Sequence, residues 1–115
     1  MEVQIFGVNN DANTRKALRF FKERRVKTHF VDFKQRAPSK GELNRFFQRF
    51  GEERLIDRDA KRFSALDLQA AYYGDDHWLA IACDEPLILH MPLVRNGNEL
   101  TVGHDEVSWK NWLAG

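Results

Sequence analysis

Asp11 is the residue best placed to do chemistry. It stands in a polar turn, Gly7-Val8-Asn9-Asn10-Asp11-Ala12-Asn13-Thr14-Arg15-Lys16-Ala17, between a short apolar run and an amphipathic one. A turn leading from a strand into a helix aims the first N–H groups of that helix into open space. Those groups lack intrahelical partners and carry partial positive charge, so such a place binds an anion or hosts a reactive side chain. Asp11 occupies the position of a nucleophile. A carboxylate there has two roles open to it. It can cap the helix, typically worth about 1 kcal/mol over Ala. It can also attack covalently in phosphoryl or acyl transfer, which normally recruits a metal or several cations. Arg15 is the one nearby cation that the sequence guarantees.

Other reactive residues are few. Cys83 is the single cysteine, so neither an internal disulfide nor a Cys-rich zinc site can form. It is expected mid-helix on an apolar side, packed as a small hydrophobe. His29, His77, His90 and His104 match no zinc spacing. His90 precedes Met91-Pro92, and a hydrogen bond from it to Asp11 is one expectation.

The elements that must position these residues follow from periodicity. Val3 to Phe6 reads as a buried strand. Thr14 to Arg25 reads as a helix with Ala17, Leu18 and Phe21 on one face and Arg15, Lys16, Arg19 and Lys22 outside. Thr28 to Phe33 reads as a second strand, parallel to the first across a right-handed crossover. Ser39 with Glu42 forms a capping box after Pro38. The helix it starts carries Leu43, Phe46, Phe47 and Phe50 on one stripe and ends at Gly51. Short helical pieces are expected around Glu53 to Ile56 and Ser64 to Ala71, with Phe63, Leu66 and Ala70 inward. Asp75 or Asp76 is expected to cap a helix from about His77 to Cys83, with Pro86 as its limit. Leu87 to His90 reads as extended. Leu93 to Arg95 and Glu99 to Val102 read as a hairpin around Asn96-Gly97. A last helix from about Asp105 to Leu113 turns Trp109, Trp112 and Leu113 inward.

The order is β-α-β, a helical insert at about 39–85, then β-β-α, within one domain over 1–115. This is the α/β thioredoxin-like arrangement: a four-stranded mixed sheet with helices on both faces. A chain of 115 residues, 43% hydrophobic and 30% charged, fits one domain with a single core. No apolar run approaches membrane-spanning length and the start lacks an apolar signal core, so a cytoplasmic location is expected. The net charge of +1 hides an asymmetry. Residues 1–58 hold 14 Lys/Arg and 8 Asp/Glu, while residues 59–115 hold 4 and 9. Two solvated faces explain this, and so does docking to an acidic partner.

The motifs together resemble the arsenate reductase (ArsC), Spx and YffB group of thioredoxin-fold proteins. Members of that group carry Gly-Asn-Pro-x-Cys-x-x-Cys-Arg-Lys-Ala where this chain has Gly7 to Ala17. Phe30-Val31-Asp32-Phe33-Lys34, Pro38-Ser39-Lys40-Gly41-Glu42-Leu43, Phe63 with Leu66, and Pro86 to Val94 follow the family pattern in register, as does Val102-Gly103. The resemblance implies a cis bond at Pro92. It also exposes departures. Asp11 replaces the reactive cysteine, Thr14 the second cysteine, and Met91 the substrate-side arginine. A further arginine of the true reductases falls near Asp57, with Arg58 beside it.

Disulfide exchange and arsenate reduction need a thiolate, which a helix N-terminus favours. Asp11 forms no stable bond to sulfur, and a carboxylate has no redox-active atom. Its charge also repels arsenate or phosphate, and the loss of a cation at Met91 acts the same way. The expected function is a non-redox binding or regulatory protein without a cofactor. Asn10, Asp11, Asn13, Thr14, Arg15, His90, Met91 and Pro92 are its candidate binding residues, facing the backbone of a protein partner. A fixed carboxylate also mimics an ionised or oxidised cysteine, holding one signalling state of an Spx-like regulator. The alternative is a glutathione-dependent oxidoreductase or arsenate reductase-like enzyme. Nucleic-acid binding through the basic half lacks a recognition motif, so neither nucleic acid nor membrane is an expected partner.

Overall fold

Strand β1 (Glu2–Gly7) organises the first part of the chain. It pairs in parallel with β2 (Lys27–Asp32), from Glu2 opposite Lys27 to Gly7 opposite Asp32. On its other side it pairs antiparallel with β3 (Leu93–Asn96), with Phe6 opposite Leu93. β4 (Glu99–Val102) completes the order β2-β1-β3-β4. The hairpin joining β3 to β4 turns on Gly97 and Asn98, one residue later than Asn96-Gly97, because Asn96 still pairs with Glu99. Gly97 supplies the positive φ of 61° that the tight turn requires.

The computed structural model describes residues 1–115, and these fall into two compact units. One is Met1–Lys34 together with Met91–Gly115; the other is Gln35–His90. In the first unit, helices α1 (Ala12–Glu23) and α5 (Glu106–Ala114) cover a sheet face. Val3, Ile5 and Val94 meet Ala17, Phe20, Phe21 and Trp109 there. The ring of Trp109 lies 5.4 Å from those of both Phe20 and Phe21. Its indole N–H donates to the Thr101 hydroxyl at 2.9 Å, which satisfies two polar groups inside the core. Trp112 stacks on Phe21 and takes the next inward position of α5, so Leu113 stays 37% exposed rather than turning inward.

α1 starts at Ala12, two residues earlier than its apolar period suggests, because Asp11 caps it. Its end is a Schellman motif: Val26 N–H donates to Phe21 O at 3.0 Å and Arg25 N–H to Lys22 O at 3.0 Å. The left-handed position, usually glycine, is Arg25 at φ 57°.

The second unit is helical. α2 (Lys40–Leu55) begins on the expected cap, with Glu42 N–H donating to Ser39 Oγ at 3.1 Å. Gly51, at φ 73°, does break the helix, but the chain resumes its turns at once and runs on to Leu55. The break sends the Glu52 N–H to the Asp75 carboxylate at 3.1 Å. Asp75 therefore caps the second half of α2, and the N-cap of its own helix α4 (Asp75–Asp84) is Gly74, with no side-chain cap; neither Asp75 nor Asp76 fills that role. The helix expected over Ser64 to Ala71 is the short α3 (Lys61–Ala65). A second Schellman motif stops it, with Asp67 in the left-handed conformation at φ 56°. Phe63 is buried, Leu66 is half-buried and Ala70 is exposed. Pro86–Ile88 forms a 3₁₀ turn where an extended segment was expected, since Pro86 fixes a turning φ at its start. Leu89 is extended, bridging to Ile56. Leu43, Phe46, Phe47, Trp78, Leu79 and Ala82 are buried, and Phe50 is only half-buried. No helix is long and apolar enough to cross a membrane.

Two stability effects follow. Arg25→Gly relieves a left-handed residue whose strain is about 1–2 kcal/mol, and urea unfolding should show a stabilised variant. Loss of stability would contradict the cap. Thr101→Val strands the buried indole N–H of Trp109 and should destabilise by about 1–3 kcal/mol, read as a lower urea midpoint at unchanged slope.

Candidate functional site

β1 delivers the chain into the turn at Gly7, whose carbonyl accepts the Phe33 N–H at 2.9 Å. A side chain at Gly7 would collide with the Thr14 hydroxyl and methyl, so glycine lets α1 sit directly on the strand end. Asp11 N–H donates to Val8 O at 3.1 Å and closes the turn. Asn9 and Asn10 are exposed at its tip, and Asn13 is half-buried. The Arg15 guanidinium reaches back to donate to Asn9 O at 3.0 Å, so the loop is pinned from both sides.

The Asp11 carboxylate is bound to the helix it caps. Its Oδ2 accepts the Thr14 N–H at 2.7 Å and the Thr14 hydroxyl at 2.8 Å. Thr14 is fully buried, so both donors are fixed in direction. Asp11 Oδ1 accepts no hydrogen bond within the protein. The arrangement is an anion seat, two converging donors at a helix N-terminus, occupied by the protein's own carboxylate.

The Met91–Pro92 peptide bond is cis. Pro92 is buried and its carbonyl accepts the Gly103 N–H at 2.8 Å. The pairing of Phe6 with Leu93, extended by one step, places Pro92 beside Gly7. Asn9 to Arg15 and Met91-Pro92 therefore lie at one end of the sheet. Met91, half-buried, brings no charge to it.

His90 belongs to the second unit and makes its contacts there. Its backbone N–H donates to Leu55 O at 2.8 Å, and its Nδ1 lies 3.9 Å from Asp57 Oδ2. That separation is too long for a hydrogen bond and becomes an ion pair only when the imidazole is protonated. Asp57 itself accepts the Asp59 N–H at 3.0 Å. Arg58 is engaged structurally: it lies 3.3 Å from the Glu52 carboxylate and over the rings of Phe63 and Trp78.

Cys83 sits in the last turn of α4, not in its middle. Burial, and then the adjacent Asp84 carboxylate, push its thiol pKa up, against a smaller opposing pull from Lys40. A helix C-terminus also disfavours an anion. This is the reverse of the environment that makes a nucleophilic thiolate. No three His, Cys, Asp or Glu side chains stand close enough to hold a metal ion.

Sequence reasoning missed the close contact of Gly7 with Thr14, which only the packed helix reveals. It also missed a cleft along α1, lined by Lys16, Arg19, Phe20 and Arg24 together with His104 and Glu106. Its one signal was the excess of positive charge in the first half of the chain.

The chain's sequence matches no protein-family model, and no curated protein matches it. Its fold does have solved counterparts. A YffB protein is 19% identical with a TM-score of 0.86, covering 95% of this chain and 96% of its own. An arsenate reductase from Vibrio cholerae is 18% identical with a TM-score of 0.80, covering 96% and 97%. An ArsC family related protein from Bacteroides fragilis is 14% identical with a TM-score of 0.84, again covering 96% and 97%. Similarity across nearly the whole of each chain, with the strand order and helices above, establishes that this chain has the thioredoxin-like α/β fold of ArsC- and YffB-type structures.

Proposed function

We propose that this chain is an ArsC/Spx-like thioredoxin-fold protein that binds a protein partner and carries out no redox chemistry. The observation that supports the reading is the Asp11 carboxylate, bound to the Thr14 N–H and hydroxyl at 2.7 and 2.8 Å. In a reductase those donors would serve a thiolate and then a substrate oxyanion. Here they are taken, and the group that takes them neither attacks sulfur nor accepts electrons. A second anion would meet the charge of the first. Met91 offers nothing to offset it, and the one thiol, Cys83, is held protonated by burial and by Asp84.

The edge that presents Asp11 and Arg15, backed by the buried Thr14 and Pro92, then acts as a docking edge. Asp11 Oδ1 is a charged acceptor for a partner N–H, and the exposed Arg15 flanks it. The competing reading, arsenate reduction or glutathione-linked exchange, takes its support from the similar structures described as arsenate reductases.

A coupled assay with glutathione, glutaredoxin and arsenate separates the two. No turnover above buffer is expected from the purified protein. Turnover that survives Cys83→Ser and disappears in Asp11→Asn would overturn the proposal. The same geometry makes a second prediction: Asp11→Cys places a thiolate on the two Thr14 donors. Its alkylation profile should give a pKa below the ordinary thiol value of about 8.5, whereas Cys83 should stay above its own. An unshifted or raised value at position 11 would show that the seat does not favour an anion.

A further inference from the structure

The outward side of α1 carries an excess of positive charge that is not taken up in close ion pairs. Residues 12–27 hold seven Lys/Arg and a single Glu. Lys16, Arg19 and Lys22 are exposed and follow one another at helical spacing. None of them has a carboxylate within 4.0 Å, although Lys27, just beyond, is paired with Glu2 at 3.3 Å. Like charges at this spacing destabilise a helix, and a face serving only solubility mixes both signs. Arg24 is fixed rather than free: it donates to Phe20 O at 3.1 Å and lies 3.7 Å over the Phe20 ring. Between these cations and the start of α5 lies an open cleft of about 220 Å³, whose floor includes Phe20 and whose rim includes Glu23, His104 and Glu106.

We propose that this face of α1 docks an acidic peptide segment of a partner protein. The cleft is smaller than the roughly 300–1,000 Å³ that encloses a whole small ligand, so it suits a single inserted side chain. The cations beside it suit carboxylates on either side of that residue. Glu23 and Glu106 stand on the rim of the same cleft. A peptide backbone brings N–H donors that these carboxylates can accept. A single-stranded nucleic acid would need platforms for its bases, and the face has no exposed Phe, Tyr or Trp on which they could stack, since Phe20 is 3% exposed and covered by Arg24. The face lies outside the Asp11 turn, and the proposal stands whether or not that turn binds anything.

The test is fluorescence anisotropy with a short labelled peptide alternating glutamate and leucine, at low and at physiological salt. Saturable binding that weakens with salt is expected, because exposed charges are screened over about 8 Å at 0.15 M. The double reversal Arg19→Glu with Lys22→Glu should weaken binding roughly tenfold or more. The control reversal Arg45→Glu with Arg49→Glu, at exposed positions of α2, should leave it unchanged. A peptide with lysine in place of glutamate should bind the α1 double variant better than the wild type. Amide shifts on binding should centre on Lys16 to Arg24 and His104. No saturable binding at low salt, an equal loss in the α2 control, or tighter binding of oligothymidylate of matched charge would each overturn the proposal. The last result would assign the face to single-stranded nucleic acid.

Discussion

The structure turns on how the first turn of α1 disposes of its unpaired donors. A helix packed end-on against a strand presents N–H groups that must be satisfied by water, a ligand or a side chain. Gly7 lets the helix approach closely enough to bury Thr14, and burial removes water from the choice. One carboxylate oxygen of Asp11 then answers both donors of Thr14. The same cap starts α1 at Ala12, and the helix's apolar spacing then divides it between sheet and solvent. Ala17, Phe20 and Phe21 go into the core with Trp109; Lys16, Arg19 and Lys22 go to solvent.

The chemistry is constrained in the same way. A thiol at this position would gain reactivity from the helix, because the helix stabilises the charged form that attacks. A carboxylate is charged without help, so the same donors hold it in place and add no reactivity. Cys83 meets the opposite conditions at the other kind of helix end, with an acidic neighbour and partial burial. Neither position joins a nucleophilic sulfur to a stabilising environment. What remains at the sheet end is a polar, hydrogen-bonded surface with one charged acceptor, one exposed guanidinium and a cis-proline.

Much of this was legible in the sequence, and the parts that were not share physical causes. The strands around Val3–Phe6 and Leu93–Val102 were legible because apolar residues and a Gly turn mark them directly. The Ser39–Glu42 cap was legible because its residues act on neighbours only three positions away. The ends of α1 and α3 were not, since their left-handed residues are Arg25 and Asp67 and no glycine announces the stop. The start of α4 was misread because Asp75, a good cap by type, is drawn to the Glu52 N–H that Gly51 releases. That competition between two helices has no local signature. The nearness of His90 to Asp57, at 3.9 Å, had no local signature either, because the two are far apart in sequence. At the candidate site, the identity and cap role of Asp11 were readable from residue type and place. The double hydrogen bond to Thr14 was not, because it depends on Thr14 being buried against Gly7.

The central claim is that Asp11 already occupies the anion seat of α1. It is tested most directly by following the backbone amides of Ala12 to Arg15 by NMR while inorganic phosphate is added, in the wild type and in Asp11→Ala. The account predicts no saturable shift in the wild type and saturable shifts at these amides, Thr14 foremost, once the carboxylate is removed. Equal phosphate-induced shifts at Thr14 in both proteins would contradict it.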